Sequence, residues 1–178
     1  MYKRQAKDQG AEVIFCPVSI AYATQIIKLA ASMGLDIPIL GSDTLDSNKV
    51  LEAAAGSDVQ LYVSTFYQEG GSPEFDDGIK AWLNEDSTAM TNNGGNDTIA
   101  AVTAMGYDAY YVALEALKAA GSTDAGAVKA ALPGVTYTGV TGVIAFDDIG
   151  DAIRDTAYIK VADTANSAWA LETMQKAG

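Results

Sequence analysis

Histidine is absent from the 178 residues, and cysteine occurs once, as Cys16. Without histidine there is no Ser-His-Asp or Cys-His nucleophile system, and zinc loses its commonest nitrogen ligand. A single cysteine excludes an internal disulfide and a thiolate metal cluster. Cys16 lies in "EVIFCPV", where it reads as a small buried apolar side chain. Positive charge is scarce too. Eleven Lys and Arg face 23 Asp and Glu, a formal net charge of −12. Such a surface repels phosphate backbones and has no basic stripe to offset the repulsion, so no nucleic-acid partner is expected. No apolar run approaches the roughly 18 residues that cross a bilayer. G-x-G-x-x-G, the phosphate-loop pattern and paired C-x-x-C are all missing, and no cofactor is expected.

Apolar residues are plentiful at 49%, enough for a core in one domain or in pieces of two. The opening, "MYKRQAKDQGAEVIF", has positive charge but no apolar segment or cleavage site. It is therefore not a secretion signal and reads as the tail of a helix entering a strand. "EVIFC" at 12–16 predicts a strand. "SIAYATQIIKLAASMGLD" predicts a helix with Tyr22, Ile26, Leu29, Ala30 and Met33 on one face and a stop at Gly34. "IPIL" is a second strand. Asp46 or Ser47 can cap a helix through "NKVLEAAAG", and "VQLYVSTF" is a third strand. This tempo predicts βαβ units and a parallel sheet, an α/β fold.

The middle of the chain turns helical. "SPEFDDGIKAWLNE" has proline at its first helical position and Phe75, Ile79 and Trp82 on one face. "DSTAMTNNGGND" reads as a polar, glycine-rich connection. It follows no strand and holds no lysine, so it is a loop and not a phosphate cradle. The longest helix is expected from about Asp97 to Ala120, with Val102, Met105, Ala109, Val112 and Ala116 as its buried stripe. Tyr107, Tyr110, Tyr111, Met90, Met105 and Trp82 read as core. Gly121 ends this helix and Thr123 caps the next. The end is β: "YTGVTGVIAFDDIGDAIRDTAYIKV" predicts a hairpin or two strands with a turn at Asp148–Gly150, and "SAWAL" a weak last strand. The acids of "FDDIGDAIRD" miss the alternate positions of a calcium loop, so no metal site is expected there.

The stretch "LGSDTLDS" stands out. A buried strand stops, Gly41 and Ser42 leave room, and Asp43 and Asp46 follow. In open parallel sheets ligands bind beyond the carboxyl ends of the strands. Asp43 is thus a candidate ligand-facing carboxylate. Asp46 has a structural explanation as a cap or first-turn acid.

Taken in order, "PILGSDTLDS", "MGYDAYYVALEALKAAGSTDAGAVKAAL" and "YTGVTGVIAFDDIGDAIRDTAYIKV" resemble the branched-chain amino-acid binding proteins of ABC importers, of the type I periplasmic-binding-protein fold. The likeness runs from about Ala11 to Val161, and the chain looks like the C-terminal half of such a protein. It implies two α/β lobes with an amino acid trapped between them. Residues 1–66 would belong to lobe two, 67–140 to lobe one, and the strands of 141–178 would return towards lobe two. Asp43 matches the acid that pairs with the ligand ammonium. Ser19, followed by Ile20, stands where the family usually has a tyrosine. Val102 stands where it often has phenylalanine, and Phe66 and Tyr67 could supply aromatic surface instead. The implied partners are a free amino acid such as leucine, isoleucine or valine and, at full length, a membrane permease. The implied location is periplasmic or extracytoplasmic, reached by a signal this chain does not contain. Two rivals remain open: an extracellular ligand-sensing domain of a receptor with the same fold, and an enzyme on a flavodoxin-like sheet.

Overall fold

The computed structural model describes residues 8–176. The reading of the first residues as the tail of a helix falls, for 1–7, outside the described residues. Strands β1 (Ile14–Cys16), β2 (Ile39–Gly41) and β3 (Leu61–Thr65) are parallel neighbours. Helices α1 (Ile20–Ser32) and α2 (Asn48–Ala54) connect them, as the βαβ reading expects. Two later strands, β7 (Thr156–Asp163) and β8 (Ala168–Lys176), extend this sheet antiparallel beyond β3 in the order β1-β2-β3-β7-β8. The last strand is therefore not the weak element its sequence suggests. It pairs with β7 along its length, which offsets its polar composition.

Alternation decides which sheet face is buried. Leu61, Val63 and Thr65 point inward under α1 and α2, while Tyr62 and Ser64 alternate outward. On the outward side Phe15 remains 66% exposed, and no described helix covers it. Helix α1 buries Ala23, Ile27 and Ala30; of the expected face Ala30 is buried as predicted, whereas Tyr22 and Leu29 are exposed. Two stripes one residue apart both have helical spacing. The one that puts Ala23 in place of Tyr22 lets the helix sit closer to the sheet, and it is the one buried.

A second group of elements follows β3. Helix α3 (Pro73–Glu85) buries Phe75 and Leu83 and leaves Trp82 exposed. The segment expected to be a loop contains a helix, α4 (Ser87–Asn92). Asp86 Oδ1 caps it by accepting from Thr88 N at 2.8 Å and Ala89 N at 3.0 Å, a local signal that outweighs its polar composition. Helix α5 (Ala101–Ala120) buries Ala101, Ala104, Asp108, Val112 and Ala116, again one position away from much of the expected stripe. Its tyrosines are not core: Tyr110 is exposed and packs edge-on against Tyr111, which contacts Tyr107 and stacks on Tyr137. Helix α6 (Ala125–Ala131) is capped by Asp124 Oδ1 at 2.9 Å from Ala127 N, one residue after the threonine expected in that role. Strands β4 (Tyr137–Gly139), β5 (Gly142–Phe146) and β6 (Ala152–Ile153) form a small antiparallel sheet, and the chain rejoins the main sheet only at β7. Between β5 and β6, Asp147 Oδ1 accepts from Ile149 N and Asp151 N and closes the turn expected there.

Asp108 shows why α5 buries a carboxylate. Its oxygens accept from Val140 N at 2.9 Å and from the N and hydroxyl of Thr141, fixing the β4–β5 turn against the helix. Gly139 passes so close that an added Cβ would overlap the Asp108 carboxyl group. Gly139→Ala is therefore expected to lower unfolding stability by about 1–3 kcal/mol, the usual cost of overpacking. Urea denaturation checks it, and a midpoint equal to the parent's would show that the turn can give way.

Candidate functional site

The carboxyl end of β2 begins the site. Gly41 allows a tight return: a Cβ there would lie 2.6 Å from Leu45 Cδ2. The chain then makes a 3-10 turn over Asp43–Leu45, with Leu45 fully buried as its anchor. Thr44 Oγ1 donates to Val18 O at 3.3 Å, tying the turn to the loop before α1. Asp43 is thereby displayed, partly buried, at the rim. No described group hydrogen-bonds or ion-pairs with its carboxylate.

A cavity of about 580 Å³ opens beside it. Four segments line it: Ser19 and Ile20 at the start of α1, residues from Asp43 to Lys49 after β2 other than buried Leu45, Asn92 to Gly94 at the end of α4, and Ala100, Val102 and Thr103 at the start of α5. The structure thus gathers Ser19, Ile20, Asp43 and Val102 around one space. Ser19 occupies the cap position of α1 but makes no cap bond, which leaves its hydroxyl available. Val102 is 66% exposed, consistent with a wall position. A second groove, of about 620 Å³, lies at the amino ends of β2 and β3 among Asp36, Gly56 and Gln60, the wrong end of the strands for ligand binding.

Phe66 and Tyr67 do not line the cavity. Phe66 lies under Arg154, whose guanidinium carbon is 5.4 Å from the ring centroid. Tyr67 is buried; its hydroxyl donates to Asp76 Oδ1 at 2.7 Å and accepts from Ser72 N at 3.1 Å. Burial, and then the Asp76 carboxylate, push the Tyr67 phenol upward, so it stays neutral as a structural donor.

Asp46 does not cap α2. Ser47 does, its Oγ accepting from Lys49 N at 3.3 Å. Asp46 is 3% exposed and pairs with Lys160 of β7, itself 2% exposed, at 2.9 Å. The same Oδ2 accepts from Ala101 N at 3.1 Å and Thr65 Oγ1 at 3.3 Å. Oδ1 is also buried and has no hydrogen-bond partner among the described residues. Two residues on, Asn48 Nδ2 donates to Asn93 O at 2.6 Å and Asn96 Oδ1 at 2.8 Å. Sequence reading missed Lys160, Asn48, Asn93 and Thr103. Lys160 alone left a signal: in "AYIKVAD" it is a cation inside an apolar strand, which calls for a buried carboxylate.

The site is therefore a carboxylate at a strand end, with no partner among the described residues, faced by the amino ends of α1 and α5. The uncapped end of α1 carries partial positive charge, while that of α5 is answered by Asp46, so the space offers both signs. The family model for periplasmic binding proteins matches residues 2–166. Among solved structures, a leucine binding protein, LivK, from Thermotoga maritima shares 22% identity at a TM-score of 0.72, covering 99% of this chain and 49% of that one. The branched-chain amino acid transporter substrate binding protein LivJ from Streptococcus pneumoniae, in complex with isoleucine, shares 22% at 0.64, covering 98% and 47%. An ABC-transporter solute binding protein from R. palustris, in complex with benzoate, shares 16% at 0.72, covering 97% and 45%. The chain spans about half the length of these proteins, and likeness at such identities shows the fold. No curated protein matches the chain.

Proposed function

The chain belongs to the periplasmic binding protein family, and from that premise we propose that it is part of the solute-binding component of an ABC importer that takes a free amino acid of the branched-chain type. One observation carries the reading: Asp43 lines the cavity with a partly buried carboxylate that no described group engages. Such a group is suited to an ammonium. Two unit charges 4 Å apart attract by about 4 kcal/mol at an effective dielectric near 20, before desolvation is subtracted. The zwitterion's carboxylate suits the amino end of α1, which no side chain caps. Benzoate, the ligand of one structural neighbour, offers Asp43 no cation.

Ser19, Ile20 and Val102 then face the ligand side chain, while Phe66 and Tyr67 support the frame. The protein acts by binding, without turnover, outside the cytoplasmic membrane, and delivers its ligand to a membrane permease. Residues up to about 66 and the strands from β7 onward form one lobe, and the segment between them contributes to the other. Calorimetry of the natural protein containing this chain, against the twenty amino acids and benzoate, tests the reading. Leucine, isoleucine or valine should bind. Binding of benzoate with none of the amino acids would overturn it.

Ser19→Tyr should shift affinity or preference among these ligands. A ring at the start of α1 would bury additional apolar ligand surface, worth about 25 cal/mol per Å², or would clash if the space is already filled. A binding profile unchanged across the twenty amino acids would show that position 19 does not face the ligand.

A further inference from the structure

We infer that Asp46, held by Lys160, is the positioning residue that sets the spacing of the two cavity walls; for ligand affinity this rests on the amino-acid reading above. One wall is the turn carrying Asp43. The other is the start of α5, which carries Val102 and Thr103. Helix α5 is 20 residues long, yet its cap position is Ala100, which has no side chain to cap with. Asp46, 55 residues away in sequence, supplies the missing acceptor to Ala101 N at 3.1 Å. A carboxylate at the amino end of a helix also complements the helix dipole.

That carboxylate cannot drift. Lys160 Nζ on β7 and Thr65 Oγ1 at the end of β3 hold the same oxygen, so β3, β7 and α5 meet at one atom. Asp46 lies three residues from Asp43, and the 3-10 turn between them is anchored by buried Leu45. A displacement of Asp46 therefore moves the Asp43 turn relative to Val102. Asn48 makes a second, neutral tie at the outer side of the same seam. The ligand need not touch Asp46 for its affinity to depend on it.

The experiment uses the natural protein containing this chain, with leucine as probe. Nitroxide labels at Glu52→Cys on α2 and Tyr110→Cys on α5 report wall spacing; both positions are exposed, and Cys16 is buried from the label. The parent is compared with Asp46→Leu/Lys160→Met, which removes charge and acceptors together. It is also compared with Asp46→Asn/Lys160→Met, which keeps an acceptor for Ala101 N. In the folded leucine–methionine variant the label distances should broaden and leucine affinity should fall at least tenfold. The asparagine variant should recover both towards the parent, which loss of general stability would not produce. The effects of Asp43→Asn should also be smaller in the leucine–methionine background than in the parent, because the walls are already out of register.

Unchanged distances in a folded leucine–methionine variant would overturn the inference whatever the ligand. Broadened distances with unchanged affinity would overturn it too. A parent that binds no amino acid, with distances that still broaden, would sink the amino-acid reading and leave the wall-setting role supported.

Discussion

Lys160→Met is expected to lower unfolding stability by about 3–5 kcal/mol, the cost of removing one partner from a buried ion pair. Methionine keeps much of the aliphatic volume, so the loss is electrostatic and not a cavity. Asp46 would stay 3% exposed, with its charge answered, among the described residues, by the Ala101 amide and the Thr65 hydroxyl. Against a typical total of about 5–15 kcal/mol, that loss is large. Asp46→Leu/Lys160→Met should be clearly more stable than Lys160→Met alone, because an apolar replacement of both partners removes the uncompensated charge. Urea midpoints at constant slope measure both variants. A Lys160→Met protein within about 1 kcal/mol of the parent would mean that Asp46 gains water or relaxes out of the interior.

The parts legible in the sequence were those fixed by local pattern. Short apolar runs at regular spacing placed β1, β2 and β3, and a strand end followed by glycine and acids placed Asp43 at a cavity. Rotation about the helix axis was not legible. Tyr22–Leu29 and Ala23–Ala30 both have helical spacing, and only the approach of the sheet selects the alanines. Buried carboxylates were hidden for a related reason. Asp46 read as a capping group and Asp108 drew no reading, because their partners are remote: Lys160 is 114 residues from Asp46, and Thr141 is 33 from Asp108. Composition likewise hid α4, whose cap is one aspartate, and made β8 read as weak, because its support is a neighbouring strand.

Asp43→Asn is expected to weaken leucine binding by the worth of one charge-assisted contact, about 1.5–3 kcal/mol, or roughly ten- to 150-fold in affinity. Asparagine keeps the shape and one acceptor oxygen but loses the charge that attracts an ammonium. Stability should hardly change, since no described group engages the Asp43 carboxylate. Asp46→Asn sets the contrast. It leaves Lys160 charged and buried without its counterion, so its main signature is a lower unfolding midpoint, with any loss of binding following from moved walls. On these expected results the two aspartates of "GSDTLDS", three positions apart, separate into one that meets the ligand and one that holds the frame. Calorimetry with leucine and thermal unfolding, run on both variants of the natural protein containing this chain, read the two effects independently. Equal losses of stability in the two, or full leucine affinity in Asp43→Asn, would remove Asp43 from the site.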